Sequence, residues 1–220
     1  MTERMSHLLE HVLGAKSKVA ALRTLFNSKV GMSGNAVAKR VGMGLLAVQN
    51  ALADLERLGI VSVERGAVEH RYRLNFNHYL VQHGLRALYE AERGMVKALV
   101  SELRPLLDGR VVTAGLFGSF ARGEATAGSD IDLLVIVETL KDRERVSALL
   151  SDKLSEITER YGLPVQPVIF ERRRLTGAGG GILDLLEAAE SDWQPVAGED
   201  LSRYIKTLGG RKATSRRSAA

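Results

Sequence analysis

An apolar run, a glycine-serine turn and a second apolar run headed by two carboxylates constrain this chain more than any other part of it. Val111 to Phe117 reads as a buried strand, and Gly118-Ser119-Phe120-Ala121-Arg122-Gly123 turns out of it. Ser129-Asp130-Ile131-Asp132-Leu133-Leu134-Val135 then opens the next strand. Residues two apart on a strand share a face. Asp130 and Asp132 therefore point one way, while Ile131 and Leu133 point into a core. Two carboxylates side by side repel unless a cation lies between them, and a hard divalent ion such as Mg2+ prefers oxygen ligands. The adjacent turn offers backbone N–H groups and a hydroxyl, a cradle suited to phosphate. Cation site and phosphate cradle together are the parts of a phosphoryl- or nucleotidyl-transfer centre.

The Gly-Ser turn, the spacer from Phe120 to Ser129 and the Asp-x-Asp pair resemble the signature of the DNA polymerase beta nucleotidyltransferase superfamily. The wording Gly-Ser-Phe-Ala-Arg-Gly is most similar to its minimal nucleotidyltransferases, and the resemblance covers roughly residues 103–205. It implies a small mixed sheet flanked by helices, with an NTP and Mg2+ as substrate and cofactor. It also implies that Asp130 and Asp132 are metal ligands and catalytic acids, and that Gly118 and Ser119 hold the triphosphate. Arg122 would neutralise phosphate, with an ion pair to Glu124 as its structural alternative. The superfamily takes a third carboxylate from a later strand. Here that strand is Val165 to Phe170, and the matching position is Gln166. An amide offers a carbonyl oxygen but takes no proton. If the exchange costs about 4 kcal/mol of transition-state stabilisation, the rate falls about a thousandfold. Glu171 is the nearest acid, and its parity puts it on the opposite face.

A second pattern precedes this one. Ser33 is a good N-cap for a helix over Gly34 to Val41. Gly42-Met43-Gly44 turns, and a third helix runs from Leu45 to Leu58, closed by Gly59. Ile60 to Val63 and Arg71 to Leu74 read as a two-stranded wing with a turn at Arg65-Gly66. Ala36 to Gly42 and Leu52 to Val61 resemble the winged helix-turn-helix of bacterial transcription regulators. The resemblance implies that the third helix enters the major groove of duplex DNA, presenting Leu46, Gln49 and Asn50. Phosphate contacts would come from Lys39, Arg40, Arg65, Arg71 and Arg73. The start of that helix carries no Arg or Lys, so protein contact is the alternative use of the module.

The expected architecture is α/β (α+β) in several segments: an amphipathic N-terminal helix over 1–16, a winged helix-turn-helix domain over 17–80 and a linker helix over 81–107. A nucleotidyltransferase-like domain over 108–208 and a disordered basic tail over 209–220 follow. The linker's stripe of Leu85, Leu88, Met95, Leu99, Leu103 and Leu106 offers a homodimer contact, because one winged helix reads only a half-site. Packing on the transferase sheet is its other reading. Arg93-Gly94 is the expected break, since glycine costs about 1 kcal/mol inside a helix. Gly177 to Gly181 reads as a hinge loop; it lacks the Lys-Ser/Thr ending of a phosphate-binding P-loop.

The chain has no cysteine, which excludes disulfides and thiolate metal sites. Glu3 and Glu10 interrupt the apolar N-terminus, making it a poor signal peptide. No apolar run approaches the ~20 residues of a membrane span. A cytoplasmic protein without a membrane partner is the expectation. The net charge of +5 suits nucleic acid or NTP. Three functions fit: a DNA-binding regulator with a working nucleotidyltransferase domain, a repressor whose transferase-like domain only senses nucleotide, and an antitoxin-like enzyme that modifies a partner protein.

Overall fold

A computed structural model describes residues 7–126, 128–175 and 180–208. The chain divides into two compact units, Met1–Glu92 and Arg93–Ala220.

The first unit is a winged helix. Helices α1 (Leu8–Leu13), α2 (Lys16–Phe26), α3 (Gly34–Val41) and α4 (Leu45–Arg57) accompany strands β1 (Met32–Ser33), β2 (Val61–Arg65) and β3 (His70–Leu74). The sheet order is β1-β3-β2, antiparallel throughout. Ser33 caps α3 as its sequence position demands, accepting from the Ala36 N–H at 3.4 Å. Gly42 then takes a left-handed φ of 65°, which only glycine enters without strain, and α3 stops there. The stripe Val48, Ala51, Leu52 and Leu55 buries one face of α4 against Leu22, Leu25 and Val37. Val12 of α1 is fully buried in the same core, so the N-terminal helix is part of this unit's packing. Strand β1 is invisible to pattern reading, since two residues carry no periodicity.

A π turn (Val81–Leu85) follows, and α5 (Arg86–Leu107) spans the division between the units. The break expected at Arg93-Gly94 is absent: α5 runs through it, and the irregular turn falls at Gly84 instead. Nothing lies within 4 Å of where a Gly94 side chain would project, so the missing side chain leaves no void to fill. Val81 and Leu85 enter the first unit's core, while Leu99, Leu103 and Leu107 enter the second's.

The second unit holds β4 (Thr113–Phe117), α6 (Gly118–Ala121), β5 (Ile131–Val137), α7 (Leu140–Tyr161), β6 (Val165–Glu171), α8 (Arg172–Leu175), α9 (Gly180–Glu190) and β7 (Gln194–Gly198), then α10 over 201–208. Its sheet order is β6-β5-β4-β7. β5 pairs antiparallel with β4 and parallel with β6, across the helical crossover α7. The edge strands β6 and β7 carry Pro167 and Pro195. Ile131, Leu133 and Val135 pack on the side of α5 and α7. Leu134 and Ile136, on the face of Asp132, are equally buried beneath α8, α9 and α10. Both faces of β5 are thus covered, which explains its near-continuous apolar run. Of the glycine run expected as a hinge, Gly180 and Gly181 open α9 and the rest lies outside the described residues. The same holds for the basic tail.

Leu134 is fully buried at the centre of the second face. We predict that Leu134→Ala lowers unfolding free energy by about 2–5 kcal/mol in urea melts of the full chain.

Candidate functional site

The site stands where β4 ends and β5 begins. Antiparallel pairing sets Phe117 opposite Asp132, so the turn that leaves β4 starts beside the carboxylate that enters β5. Gly118 has a φ of +77°, and a Cβ there would overlap Oδ2 of Asp132. Glycine is required at this position twice, by backbone conformation and by close approach. Phe120 anchors the turn from below: it is 4% exposed and meets the Tyr161 ring edge-on at 6.5 Å. The Glu124 N–H donates to the Ser119 carbonyl at 2.8 Å, closing the turn. Between turn and strand, the Thr126 N–H donates to Ser129 Oγ at 2.8 Å, and the Ile131 N–H to the Pro164 carbonyl at 2.8 Å. These bonds bring the chain back so that Asp130 directly precedes β5.

Asp130 is exposed and Asp132 half-buried. Burial pushes the Asp132 carboxyl above its ordinary range, and the charges of Asp130 and Asp192 push it further. The charge of Asp130 thus reaches Asp132. Among the described residues no three His, Cys, Asp or Glu groups converge on one metal position. The donor set is an oxygen pair, suited to a hard cation. Gln166 lies in register with Asp132 on the neighbouring parallel strand, and its side chain is exposed. Glu171 is at the far end of β6, in register with Val137 and within 3.6 Å of Arg143 and Arg174, away from the pair.

Arg122 donates through Nε to Glu124 Oε2 at 2.7 Å and through Nη1 to Asp192. The Glu124 contact is legible from spacing; the Asp192 contact is not. Asp192 sits in the turn between α9 and β7, in no periodic pattern, seventy residues from Arg122. The Ser191 hydroxyl holds it below the usual carboxylate range, helped by Arg122 and by the Gly118 backbone amide.

In the first unit, Lys39, Arg40, Gln49 and Asn50 are exposed, and Leu46 is 71% exposed. Arg65 pairs with Glu56 at 2.7 Å, Arg71 with Glu69 at 3.5 Å and Arg73 with Glu64 at 3.3 Å. Among the described residues Lys39 and Arg40 make no ion pair.

A two-faced mixed sheet with a glycine-serine turn against a strand-entry carboxylate defines a nucleotidyltransferase-type domain. Residues 96–176 match the nucleotidyltransferase domain family. Over 78 residues the chain is 30% identical to "Putative protein adenylyltransferase MJ0604" of Methanocaldococcus jannaschii, covering 36% of this chain and 72% of that protein. It is 45% identical over 65 residues to "Putative protein adenylyltransferase MJ1305" of the same organism, covering 28% of this chain. It thus spans 42% of that relative's length. The chain belongs to the nucleotidyltransferase domain family. The solved structure of MepR, a transcription regulator of a Staphylococcus aureus multidrug efflux pump, superposes with a TM-score of 0.34 and 16% identity, over 68% of this chain and 84% of that one. That similarity is too loose to carry an argument. No helix among the described residues is long and apolar enough to cross a membrane.

A carboxyl whose pKa is raised by folding binds more protons in the native state, so stability falls as pH rises from the unfolded value toward the folded one. In metal-free protein Asp132→Asn should therefore raise the melting temperature at pH 7. The gain should vanish below the ordinary value of 3.8, as thermal scans across pH will show. Gly118→Ala should lower the melting temperature, because its methyl group meets Asp132 and its φ is left-handed.

Proposed function

We propose that this chain transfers a nucleoside monophosphate from Mg-NTP, with ATP the first candidate, to a hydroxyl of a protein partner. We propose also that its winged helix docks it on duplex DNA. The observation that carries the transfer reading is the packing of the Gly118 turn on Asp132, which sets a phosphate cradle against a carboxylate pair. The names of the relatives motivate a protein acceptor and ATP. Asp130 and Asp132 would hold Mg2+, and their oxygen-only chemistry and mutual repulsion fit it. Bound there, such an ion supplies positive charge against the phosphate oxygens. The Gly118 amide and Ser119 hydroxyl bind the triphosphate, and Arg122 neutralises it. The acceptor oxygen forms a bond to the α-phosphorus as the α–β bridging bond breaks, the hydroxyl proton passes to solvent, and pyrophosphate leaves. Gln166, in register with Asp132, takes no proton from the acceptor, so transfer is slow. The same residue favours a second reading, a repressor that senses nucleotide without turnover.

The readings separate by label position. With Mg2+ and a bacterial lysate, α-labelled ATP should leave label covalently on protein, and γ-labelled ATP should not. Asp130→Asn with Asp132→Asn should abolish the label. ATP binding by calorimetry without any transferred label would leave the sensor reading standing instead.

For DNA, Lys39 and Arg40 are the exposed cations of α3 that make no ion pair among the described residues. The wing arginines exchange their glutamate partners for phosphate, since surface pairs contribute only ~0–1 kcal/mol. Replacing Lys39 and Arg40 by alanine should shallow the salt dependence of duplex binding by about 0.9 for each phosphate that is no longer neutralised. An unchanged slope in a folded variant would remove them from the interface.

A further inference from the structure

The turn joining α9 to β7 brings a third carboxylate to the site. The Asp192 side chain is 8% exposed. Its oxygens accept from Ser191 Oγ at 2.6 Å and from Arg122 Nη1, and the Gly118 backbone amide helps to hold it charged. Its charge is also felt by Asp132. An internal anion thus rests on the same guanidinium assigned above to phosphate, within the influence of the same amide. The next residue fixes the turn. Trp193 lies against Gly115 of β4, where a Cβ would be 2.5 Å from indole Cζ2, and packs into the core beneath α9 and α10.

We propose that Asp192 is an internal stand-in for nucleotide phosphate, and that a triphosphate binds by displacing it while Arg122 passes from the carboxylate to the phosphate. The proposal rests on the nucleotide reading of this site and adds how its affinity is set. A carboxylate and a phosphate compete for one set of donors, because both are anions and the amide and guanidinium directions are shared. Until nucleotide arrives, Asp192 keeps Arg122 and the turn in a defined geometry. The cost falls on affinity, since a bound phosphate must first replace a satisfied anion. A role as the missing third acid does not match this arrangement. A carboxylate already held by Ser191 and Arg122, with its pKa lowered, is a weak base. Asp192, Asp130 and Asp132 do not converge on one metal position.

The test uses the full chain and two probes: Mg-ATP, and inorganic tripolyphosphate with EDTA, which reads the anion position without the metal. Asp192→Asn should bind both about fivefold more tightly or better, the effect of removing one like charge at short range. Asp192→Ser gives the same comparison if the amide variant melts early. Trp193 is the chain's one tryptophan, so its emission follows the turn directly. It should change on saturation of the wild type with tripolyphosphate. If the wild type binds ATP and both variants bind it equally or more weakly, the displacement is wrong and the nucleotide reading stands. If neither wild type nor variants bind either probe, both fall.

Discussion

The second unit depends on one approach, the contact of a backbone without a side chain with a carboxylate. β4 and β5 are antiparallel and register Phe117 against Asp132. The residue after Phe117 must turn away at once, and the space it turns through is already taken by Asp132. Glycine resolves both demands, and the turn then begins in contact with the acid. Everything the site can do electrostatically follows from that. An amide donor, a hydroxyl, two carboxylates and a guanidinium are held within a few residues of a strand end. That end is rigid because β5 is buried on both faces.

The same double burial explains the mixture of success and failure in reading the sequence. Motifs with a local cause are legible. Ser33 caps α3, Gly42 and Gly59 end helices with left-handed φ, and the alternation through Ile131, Asp132 and Leu133 gives the facing of the acid pair. The position of Gln166 is legible only through the family resemblance, and the parallel pairing of β5 with β6 sets it in register with Asp132. Contacts made across long sequence separations are not legible. Asp192 reaches Arg122 only because β7 lies beside β4, and no pattern around residue 192 announces it. The uninterrupted α5 shows the limit of propensity. A glycine at a half-buried helical position is tolerated when other residues of the helix are anchored in a core.

The two units handle charge differently. On the winged helix, three basic wing residues are each matched by a nearby glutamate. The net positive charge of the chain is therefore not displayed there as an uninterrupted patch, and attraction to a polyanion rests on local rearrangement as well as on the long-range field. In the second unit acids gather at one strand end, where Asp130, Asp132 and Asp192 influence one another.

The prolines of the two edge strands have a consequence for how that domain meets other molecules. Pro167 and Pro195 each remove a backbone donor from the outer strands of a four-stranded sheet. An incoming extended segment would find an incomplete ladder on either side. Growth by strand addition is thus disfavoured, whether from another copy or from an unfolded neighbour. Recognition has to pass through side chains and loop ends, and the domain gains protection from the edge-to-edge stacking that would otherwise threaten so apolar a central strand.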